Sequence, residues 1–308
     1  MERCTVVQVR APAPPGRGSV RRRSAATVGG ALCWFALVGC SQRATTTSTA
    51  PCPPSSLRHS PPLVIAHAGG EGLAPANSIL AMQRSMAAGA DVLDADLRMT
   101  ADGVVVAHHD RSIAADTDRT GNIDELTWAE LQLADLRAGW SGAAIDQPVR
   151  IASLEQILAT FPVQMISLEI KQSLPAMALP LCEVLQRLGA VDRVYLSANN
   201  DADVYAAQAE CPGSLVITTT YRDVAVMRSV RETGAPWCAP APIGQPPFGE
   251  SLLDPENVAW SHEHGMAIFT WTVDDPETLR GLAKAGVDGV YTRRPDVARA
   301  VFDELASE

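Results

Sequence analysis

Beyond residue 60 this chain has little positive charge. Residues 1–60 contain eight arginines and one glutamate, so residues 61–308 carry 17 basic and 34 acidic side chains, a net charge of −17. Because nucleic acids are polyanions that bind basic surfaces, this balance argues against nucleic acid as a partner. A chain this acidic can bind a divalent cation instead.

The chain also lacks metal-binding cysteine spacings and a glycine-rich dinucleotide fingerprint. Of the seven cysteines, Cys52, Cys182, Cys211 and Cys238 lie in or beyond the tether described below, at intervals that match no metal motif. They can form disulfides in an oxidising compartment, but the spacing does not say which pair forms. No G-x-G-x-x-G follows a predicted strand, which argues against the alternative fold, a doubly wound open sheet that binds a dinucleotide.

The N-terminal apolar stretch "SAATVGGALCWFALVGC" is too short to span a membrane comfortably. It follows three arginines and ends in small residues, which is the layout of a secretory signal. Its end, "LVGC" (Leu37 to Cys40), resembles the bacterial lipobox, in which the cysteine is lipidated, and a Ser/Thr/Pro-rich tether follows. An ordinary cleaved signal or a single membrane anchor is the alternative.

These features predict three segments. They are a lipoprotein-type signal peptide (1–39), a tether (40–60) and one folded domain (61–308). The protein is accordingly expected to be exported and anchored by an N-terminal lipid to the membrane of a bacterial cell envelope, or to be secreted.

After residue 60, short apolar runs alternate with segments of helical periodicity. This alternation predicts a parallel sheet with helices outside it. Eight strands and a final return to a strand in "GVDGVYTRRP" predict an α/β fold of the (β/α)8 TIM barrel type. The predicted strands are Leu63–Ala66, Val92–Leu97, Val104–Ala107, Met165–Ile170, Val194–Ser197, Leu215–Thr219, Ala267–Val273 and Gly289–Tyr291. The Pro/Gly-rich stretch 237–249 is expected to form a loop over one barrel end. A short strand within it is an alternative that changes the strand numbering by one.

Polar residues stand at the C-terminal ends of these apolar runs, where TIM barrels build their sites. They are His67, Asp94, Asp96, His108, His109, Asp110, Glu169, Lys171, Trp271 and Asp274. Each one alone is more often a helix cap, a turn residue or a packed histidine. Taken together they indicate a site, because burying so many unpaired charges by accident costs too much free energy.

The residue types indicate a phosphodiester as substrate. Carboxylates that converge without matching cations indicate a positive ion between them, and oxygen ligands select Mg²⁺ or Ca²⁺. Such an ion can polarise a phosphoryl oxygen. Two histidines can supply the base that activates a nucleophile and the acid that protonates the leaving oxygen, while a lysine stabilises the developing negative charge. The combination predicts cleavage of a small-molecule phosphodiester.

The motifs resemble those of the glycerophosphodiester phosphodiesterase family, whose members are (β/α)8 barrels. The matching segments are "HAGG" (67–70), "PANS" (75–78), "GADVLDADLRMTADGVVVAHHD" (89–110), "LEIK" (168–171) and "WTVDDPE" (271–277), which follow the family's order and spacing from about residue 63 to 296.

The resemblance implies a role for each matching residue. It implies that a divalent metal is held by Asp94, Asp96 and Glu169, and that His67 and His109 are the catalytic histidines. It further implies that Lys171 lies near the phosphate, that Trp271 flanks the glycerol moiety and that Asn77 belongs to the substrate site.

Four positions depart from the family pattern. One is Ala115, which stands where the family has an arginine, although Arg119 is near enough to substitute. Ala68 replaces the arginine after the first histidine, which removes a bidentate phosphate clamp. Ala76 replaces the glutamate before the asparagine, and Asp94 is one methylene shorter than the family's glutamate, which would shift or loosen the ion.

The sequence therefore predicts metal-dependent hydrolysis of glycerophosphodiesters to sn-glycerol 3-phosphate and an alcohol, with His67 and His109 as acid and base. Water or the substrate's own glycerol hydroxyl is the first nucleophile. One alternative is a barrel that binds a phosphodiester or lipid headgroup without turnover, since part of the family's phosphate-binding side chains is missing where Ala68 and Ala76 stand. Another is an enzyme that cuts a lysophospholipid or a phosphoinositide, with the 237–249 loop building its pocket.

Overall fold

The structure, a computed structural model, describes residues 59–217, 243–244, 255–263 and 267–307. The expected signal peptide, the lipobox cysteine and the tether up to residue 58 lie outside the described residues, as do Cys52, Cys238 and most of the 237–249 loop. The segment boundaries and the export of the protein therefore stay predictions. In the described part of the chain, no helix is long and apolar enough to cross a membrane.

The strands form one sheet in which eight are parallel. In chain order the strands are β1 (Leu63–Ala66), β2 (Val92–Met99), β3 (Val105–Ala107), β4 (Met165–Ile170), β5 (Val194–Ala198), β6 (Leu215–Val216), β7 (Ile243–Gly244), β8 (Ala267–Thr270) and β9 (Gly289–Thr292). They are ordered β6-β5-β4-β2-β1-β9-β8-β7, with β3 attached to β2. The parallel β1–β9 pairing brings the last strand back to the first, and the predicted (β/α)8 TIM barrel is confirmed. Within the described residues no pairing joins β6 to β7.

The membership of the eight barrel strands differs from the prediction. The run Val104–Ala107 was expected to be a barrel strand, which is wrong: β3 pairs antiparallel with β2, with Met99 opposite Val105. The turn between them contains Gly103, whose φ of 84° suits a tight reversal. The eighth parallel strand is β7, inside the Pro/Gly-rich stretch, where it pairs with β8. The alternative of a short strand in that stretch is thus confirmed.

Helices follow most of the barrel strands. They are α1 (Ile79–Ala87), α2 (Trp128–Leu131), α3 (Leu154–Thr160), α4 (Ala178–Arg187), α5 (Asp201–Glu210), α6 (Pro255–Glu263), α7 (Pro276–Ala285) and α8 (Pro295–Ala306). Several begin at a residue whose side chain caps the first turn, as Ser78 does for α1 and Asp275 for α7. In addition, a disulfide joins Cys182 on α4 to Cys211 at the end of α5.

Alternation along the strands divides the core into two layers. The residues inside the barrel are Ile65, Val92, Tyr195, Ile217, Ala267, Phe269 and Tyr291, and their strand neighbours face the helices. Because strand side chains alternate with a period of two, the inward positions of β1 and β2 continue to His67 and to Asp94 and Asp96. On β4 the inward Met165 leads in the same way to Glu169 and Lys171. The barrel interior therefore ends in a polar layer at its C-terminal face.

Candidate active site

Asn77 holds one of the predicted metal carboxylates at the end of β2. Asp96 lies opposite Glu169 in the β2–β4 register. The Asn77 amide donates from Nδ2 to Asp96 Oδ2 and accepts at Oδ1 from the Asp96 N–H, both at 2.9 Å. Asn77 does so from a left-handed backbone conformation (φ 57°), which asparagine tolerates better than most residues. Asn77 thus orients Asp96, while its contact with substrate stays a prediction.

Lys171 lies between two of the carboxylates. Its Nζ is 2.6 Å from Glu169 Oε1 and 3.3 Å from Asp96 Oδ1. Burial lowers the pKa of Lys171, but the charges of Asp96 and Glu169 outweigh this and raise it. For Asp96, burial raises the pKa, whereas Lys171 and the Asn77 amide together bring it below its ordinary value. Lys171 is therefore a fixed cation at the mouth of the barrel.

Asp94 is the least neutralised of the three carboxylates. It is buried, and its Oδ2 accepts a hydrogen bond of 3.0 Å from the Ala68 N–H. Burial is the largest effect on the pKa of Asp94 and raises it. The charges of Asp96 and Glu169 raise it further, and together these effects outweigh the opposite charge of His67 and bring the pKa to about 7. Three carboxylates thus share one lysine in a region of low dielectric constant.

The donor chemistry of this cluster fits a hard divalent cation. All its donors are carboxylate oxygens, the ligands that Mg²⁺ and Ca²⁺ prefer, and the pKa of Asp94, raised mainly by burial, is raised further by the negative charges of Asp96 and Glu169. Among the described residues, no three side chains of histidine, cysteine, aspartate or glutamate lie close enough together to hold a metal ion. The fit is therefore one of donor type and charge.

His67 sits in a tight left-handed turn after β1. Ala68, Gly69 and Gly70 have φ of 46°, 79° and 92°. An added Cβ on Gly70 would lie 1.9 Å from Ser85 Oγ, so only glycine fits there. The turn points the Ala68 N–H at Asp94 and lets the chain double back onto the histidine.

Glu71 binds His67 and was not singled out by the sequence. Its Oε1 lies 3.0 Å from His67 Nδ1. Burial lowers the pKa of His67, but the Glu71 hydrogen bond and the charges of Asp94, Glu71 and Asp96 raise it to about 9. A carboxylate four residues after a histidine that ends a strand was the available signal. It was uninformative without the turn geometry.

Two adjacent histidines, His108 and His109, follow β3. His109 is exposed, and its Nδ1 lies 2.7 Å from Asp110 Oδ1. His108 is buried and contacts the Asp110 carbonyl oxygen through Nδ1 at 2.8 Å. Each predicted catalytic histidine therefore has its Nδ1 bound by a carboxylate, which leaves Nε2 for proton transfer.

A cavity of about 380 Å³ opens beside His109. It is lined by Glu71, Pro75, Ala76, Asn77, His108, His109, Asp110, Asp116, Leu136, Gly139, Trp140 and Ser141. Through Asn77 and Glu71 it adjoins the carboxylates and His67. Trp271 is not among its lining residues and stands after β8, two strands away from β1, where it packs on the interior layer. The Trp271 Nε1 is buried and has no hydrogen-bond partner within the described residues.

The fold thus brings His67, Asp94, Asp96, Glu169 and Lys171 together at the ends of β1, β2 and β4. His109, on the β3 side, lines the same cavity as Asn77, which binds Asp96.

Comparison with known proteins identifies the family of this chain. Residues 67–297 match the model of the glycerophosphoryl diester phosphodiesterase family. A Mycobacterium tuberculosis protein named "Probable glycerophosphodiester phosphodiesterase 2" is 28% identical over 260 residues, which cover 80% of this chain and 92% of that protein. A glycerophosphodiester phosphodiesterase of Caldanaerobacter subterraneus is 28% identical over 242 residues, covering 76% and 95% respectively.

A solved structure shares the fold. The phosphodiesterase of Oleispira antarctica, in complex with the product sn-glycerol-3-phosphate, superposes with a TM-score of 0.67 at 21% identity. The match covers 79% of this chain and 97% of that one. Since the family model matches residues 67–297, well over half of the chain, this chain belongs to the glycerophosphoryl diester phosphodiesterase family.

Proposed function

We propose that this protein hydrolyses glycerophosphodiesters to sn-glycerol 3-phosphate and an alcohol, with the help of a divalent cation. One observation carries the proposal. Two histidines, each with Nδ1 bound by a carboxylate, flank a buried group of three carboxylates and a lysine at the C-terminal end of the barrel. The names of the M. tuberculosis and C. subterraneus relatives support the same activity.

His67 and His109 share the proton transfers. With Nδ1–H directed at Glu71, the neutral form of His67 has an acceptor lone pair on Nε2, and Asp110 prepares His109 in the same way. One ring takes the proton of the attacking hydroxyl, from water or from the substrate's own glycerol, and the other protonates the leaving oxygen. The carboxylate partners stabilise the ring that gains a proton.

Charge on the phosphate is balanced by cations at the same face. Asp94, Asp96 and Glu169 would hold the divalent ion, Mg²⁺ or Ca²⁺. When bound, the ion would stabilise the negative charge that develops on the phosphoryl oxygens. Lys171, which already binds Asp96 and Glu169, donates its third N–H toward the phosphate. Lys171 then takes over part of the role of the arginine that Ala68 replaces.

Export of the protein as a lipid-anchored or secreted enzyme is part of this proposal. The Cys182–Cys211 disulfide supports it, because such bonds persist mainly in oxidising compartments. Two hydrogen-bonded histidines support turnover over mere binding, since a protein that only binds a headgroup has no use for an acid and a base.

The test follows the release of sn-glycerol 3-phosphate from glycerophosphocholine, glycerophosphoethanolamine and glycerophosphoglycerol by the full chain. The protein is first treated with a chelator and then given Mg²⁺ or Ca²⁺. We expect release that depends on the added ion. Asp96→Asn should lower it by at least about 100-fold without unfolding the protein, because it removes a ligand charge and one of the two oxygens that bind Asn77 and Lys171.

A matched control is Asp192→Asn. Asp192 is exposed in the turn before β5, at the opposite end of the barrel, and its replacement should leave the rate unchanged. A folded chain that cuts none of the three substrates with either ion would refute the proposed activity. Full activity of Asp96→Asn would refute the assignment of the metal ligands.

A further inference from the structure

The ring of His109 is held by its own neighbour alone. The side chain is 59% exposed, and its Nδ1 lies 2.7 Å from Asp110 Oδ1. Among the described residues the ring has no other hydrogen-bond partner. Because Asp110 belongs to the same segment, 108–110, this bond moves with the segment and does not fix the ring relative to the barrel. The backbone of segment 108–110 therefore sets where the ring lies.

Arg98 binds this backbone from β2. Its Nε–H donates a hydrogen bond of 2.7 Å to the His109 carbonyl oxygen. A guanidinium donor makes this bond charge-assisted, which is stronger than a bond between two neutral groups. Arg98 lies two residues after Asp96 on the strand that carries two of the predicted metal ligands. The bond therefore fixes the His109 backbone relative to these carboxylates.

His108 binds the next carbonyl group of the same segment. Its ring is buried, and Nδ1 donates a hydrogen bond of 2.8 Å to the Asp110 carbonyl oxygen, which can only accept. On the other side of the ring, Nε2 lies 3.3 Å from Asp116 Oδ2. The His108 backbone N–H donates to the Asp96 carbonyl oxygen at 2.8 Å. His108 is thus anchored at its backbone and at both ring nitrogens.

Two successive carbonyl groups, those of His109 and Asp110, are therefore held by side chains that do not touch the His109 ring. Arg98 is not among the residues that line the cavity beside His109, so it is not placed to bind a substrate there. A group that transfers a proton must be placed accurately, because a displacement of about 1 Å costs about 100-fold in rate. Holding the backbone on both sides of the exposed ring meets that requirement.

We propose that Arg98 and His108 are positioning residues, which hold His109 in place for proton transfer through the carbonyl groups of segment 108–110. The inference rests on the proposed function, because it takes His109 as a proton-transfer group. Neither residue is assigned a contact with the substrate. Their loss should therefore lower kcat and leave KM nearly unchanged.

Two replacements of Arg98 separate the hydrogen bond from the rest of the side chain. Glutamine places an amide nitrogen where Nε lies and keeps a donor, whereas methionine has a similar length and no donor. With the fastest of the three glycerophosphodiesters and the full chain, Arg98→Met should lower kcat by about 30-fold and Arg98→Gln by no more than about threefold. The control is Arg187→Met, which removes an exposed arginine that pairs with Glu155 and should leave kcat unchanged.

Coupling to His109 is the readout that a purely structural role would not give. His109→Ala should lower kcat by about 1,000-fold. In that background Arg98→Met should cost less than about threefold more, because a ring that is absent cannot be misplaced. The same loss from Arg98→Met in both backgrounds would overturn the inference. So would equal loss in Arg98→Gln and Arg98→Met.

Should Arg98→Met not fold, His108 offers the same comparison. His108→Asn keeps a donor near the position of Nδ1, and His108→Leu has a similar shape without one. We expect the asparagine variant to be at least about tenfold faster, and equal rates would overturn the inference. A wild-type chain that cuts none of the three substrates refutes the proposed function, and this inference with it. An active wild type whose kcat is unchanged by Arg98→Met refutes this inference alone.

Discussion

Replacing Glu71 tests whether the carboxylate behind His67 takes part in catalysis. Glu71→Gln keeps an oxygen that can accept from His67 Nδ1, at the 3.0 Å seen here, but removes the charge. The two side chains are 28% and 31% exposed, so the lost attraction lies between that of a surface pair and that of a buried pair. We expect the loss of this attraction to raise the activation free energy by about 1 kcal/mol, which corresponds to a fall of about fivefold in kcat.

Glu71→Ala removes the hydrogen bond as well as the charge. The ring then loses the contact that fixes its tautomer and orientation, and we expect kcat to fall about 100-fold. KM should change little, because neither variant alters a group that we assign to substrate binding.

The pH dependence adds a readout that a purely structural role would not change. The Glu71 hydrogen bond and charge help raise the pKa of His67 to about 9, so their removal lowers that pKa. Whether His67 acts as base or as acid, the limb of the kcat/KM profile that reports it should move to lower pH in both variants.

The control is Glu155→Gln. It removes the charge of an exposed glutamate on α3 that pairs with Arg187 on α4. Its pH profile should match that of the wild type. If Glu71→Ala retains the wild-type kcat and an unshifted profile, Glu71 does not position the histidine and the argument from the left-handed turn is wrong.

Two further predictions concern stability. With a chelator present, Asp94→Asn should stabilise the fold against urea at pH 8 more than at pH 5. The folded-state pKa of Asp94 is raised to about 7 from 3.8, so the stability that its protonation confers is lost as pH rises through about 7. Asparagine is neutral at both pH values and does not lose this stability. A larger effect at pH 5 would contradict the burial argument. Replacing Cys182 and Cys211 together by serine should lower the free energy of unfolding by about 3.6 kcal/mol, as their separation of 29 residues implies, without changing kcat. An unchanged urea midpoint in non-reducing buffer would show that the bond is not formed.

The spacing of residues along single strands was enough to predict which polar side chains of the candidate site share a face. Asp94 and Asp96, like Glu169 and Lys171, are two residues apart, and a strand of either register places such a pair on one face. The strand–helix alternation predicted the barrel, and the C-terminal position of the polar residues predicted where the site lies. These inferences succeed because alternation of side chains is a local property of an extended chain.

Contacts between elements were not available from the sequence. The ion pair of Lys171 with Asp96 depends on the β2–β4 register that sets Asp96 opposite Glu169. The approach of Glu71 to His67 depends on three successive left-handed residues. The antiparallel pairing of β3 was missed because a short apolar run has the same sequence pattern in a hairpin strand and in a barrel strand.

The sequence by itself therefore determined the fold class, the face of the barrel that carries the site and the residue types that meet there. Only the tertiary structure decided which partner each of them has: Asn77 on Asp96, Glu71 on His67 and Cys182 on Cys211. It also decided that His108 and Asp116 share a cavity wall. The physical reason is that periodicity acts over a few residues, whereas hydrogen bonds and ion pairs form between whichever groups the packed strands and turns bring within about 3 Å.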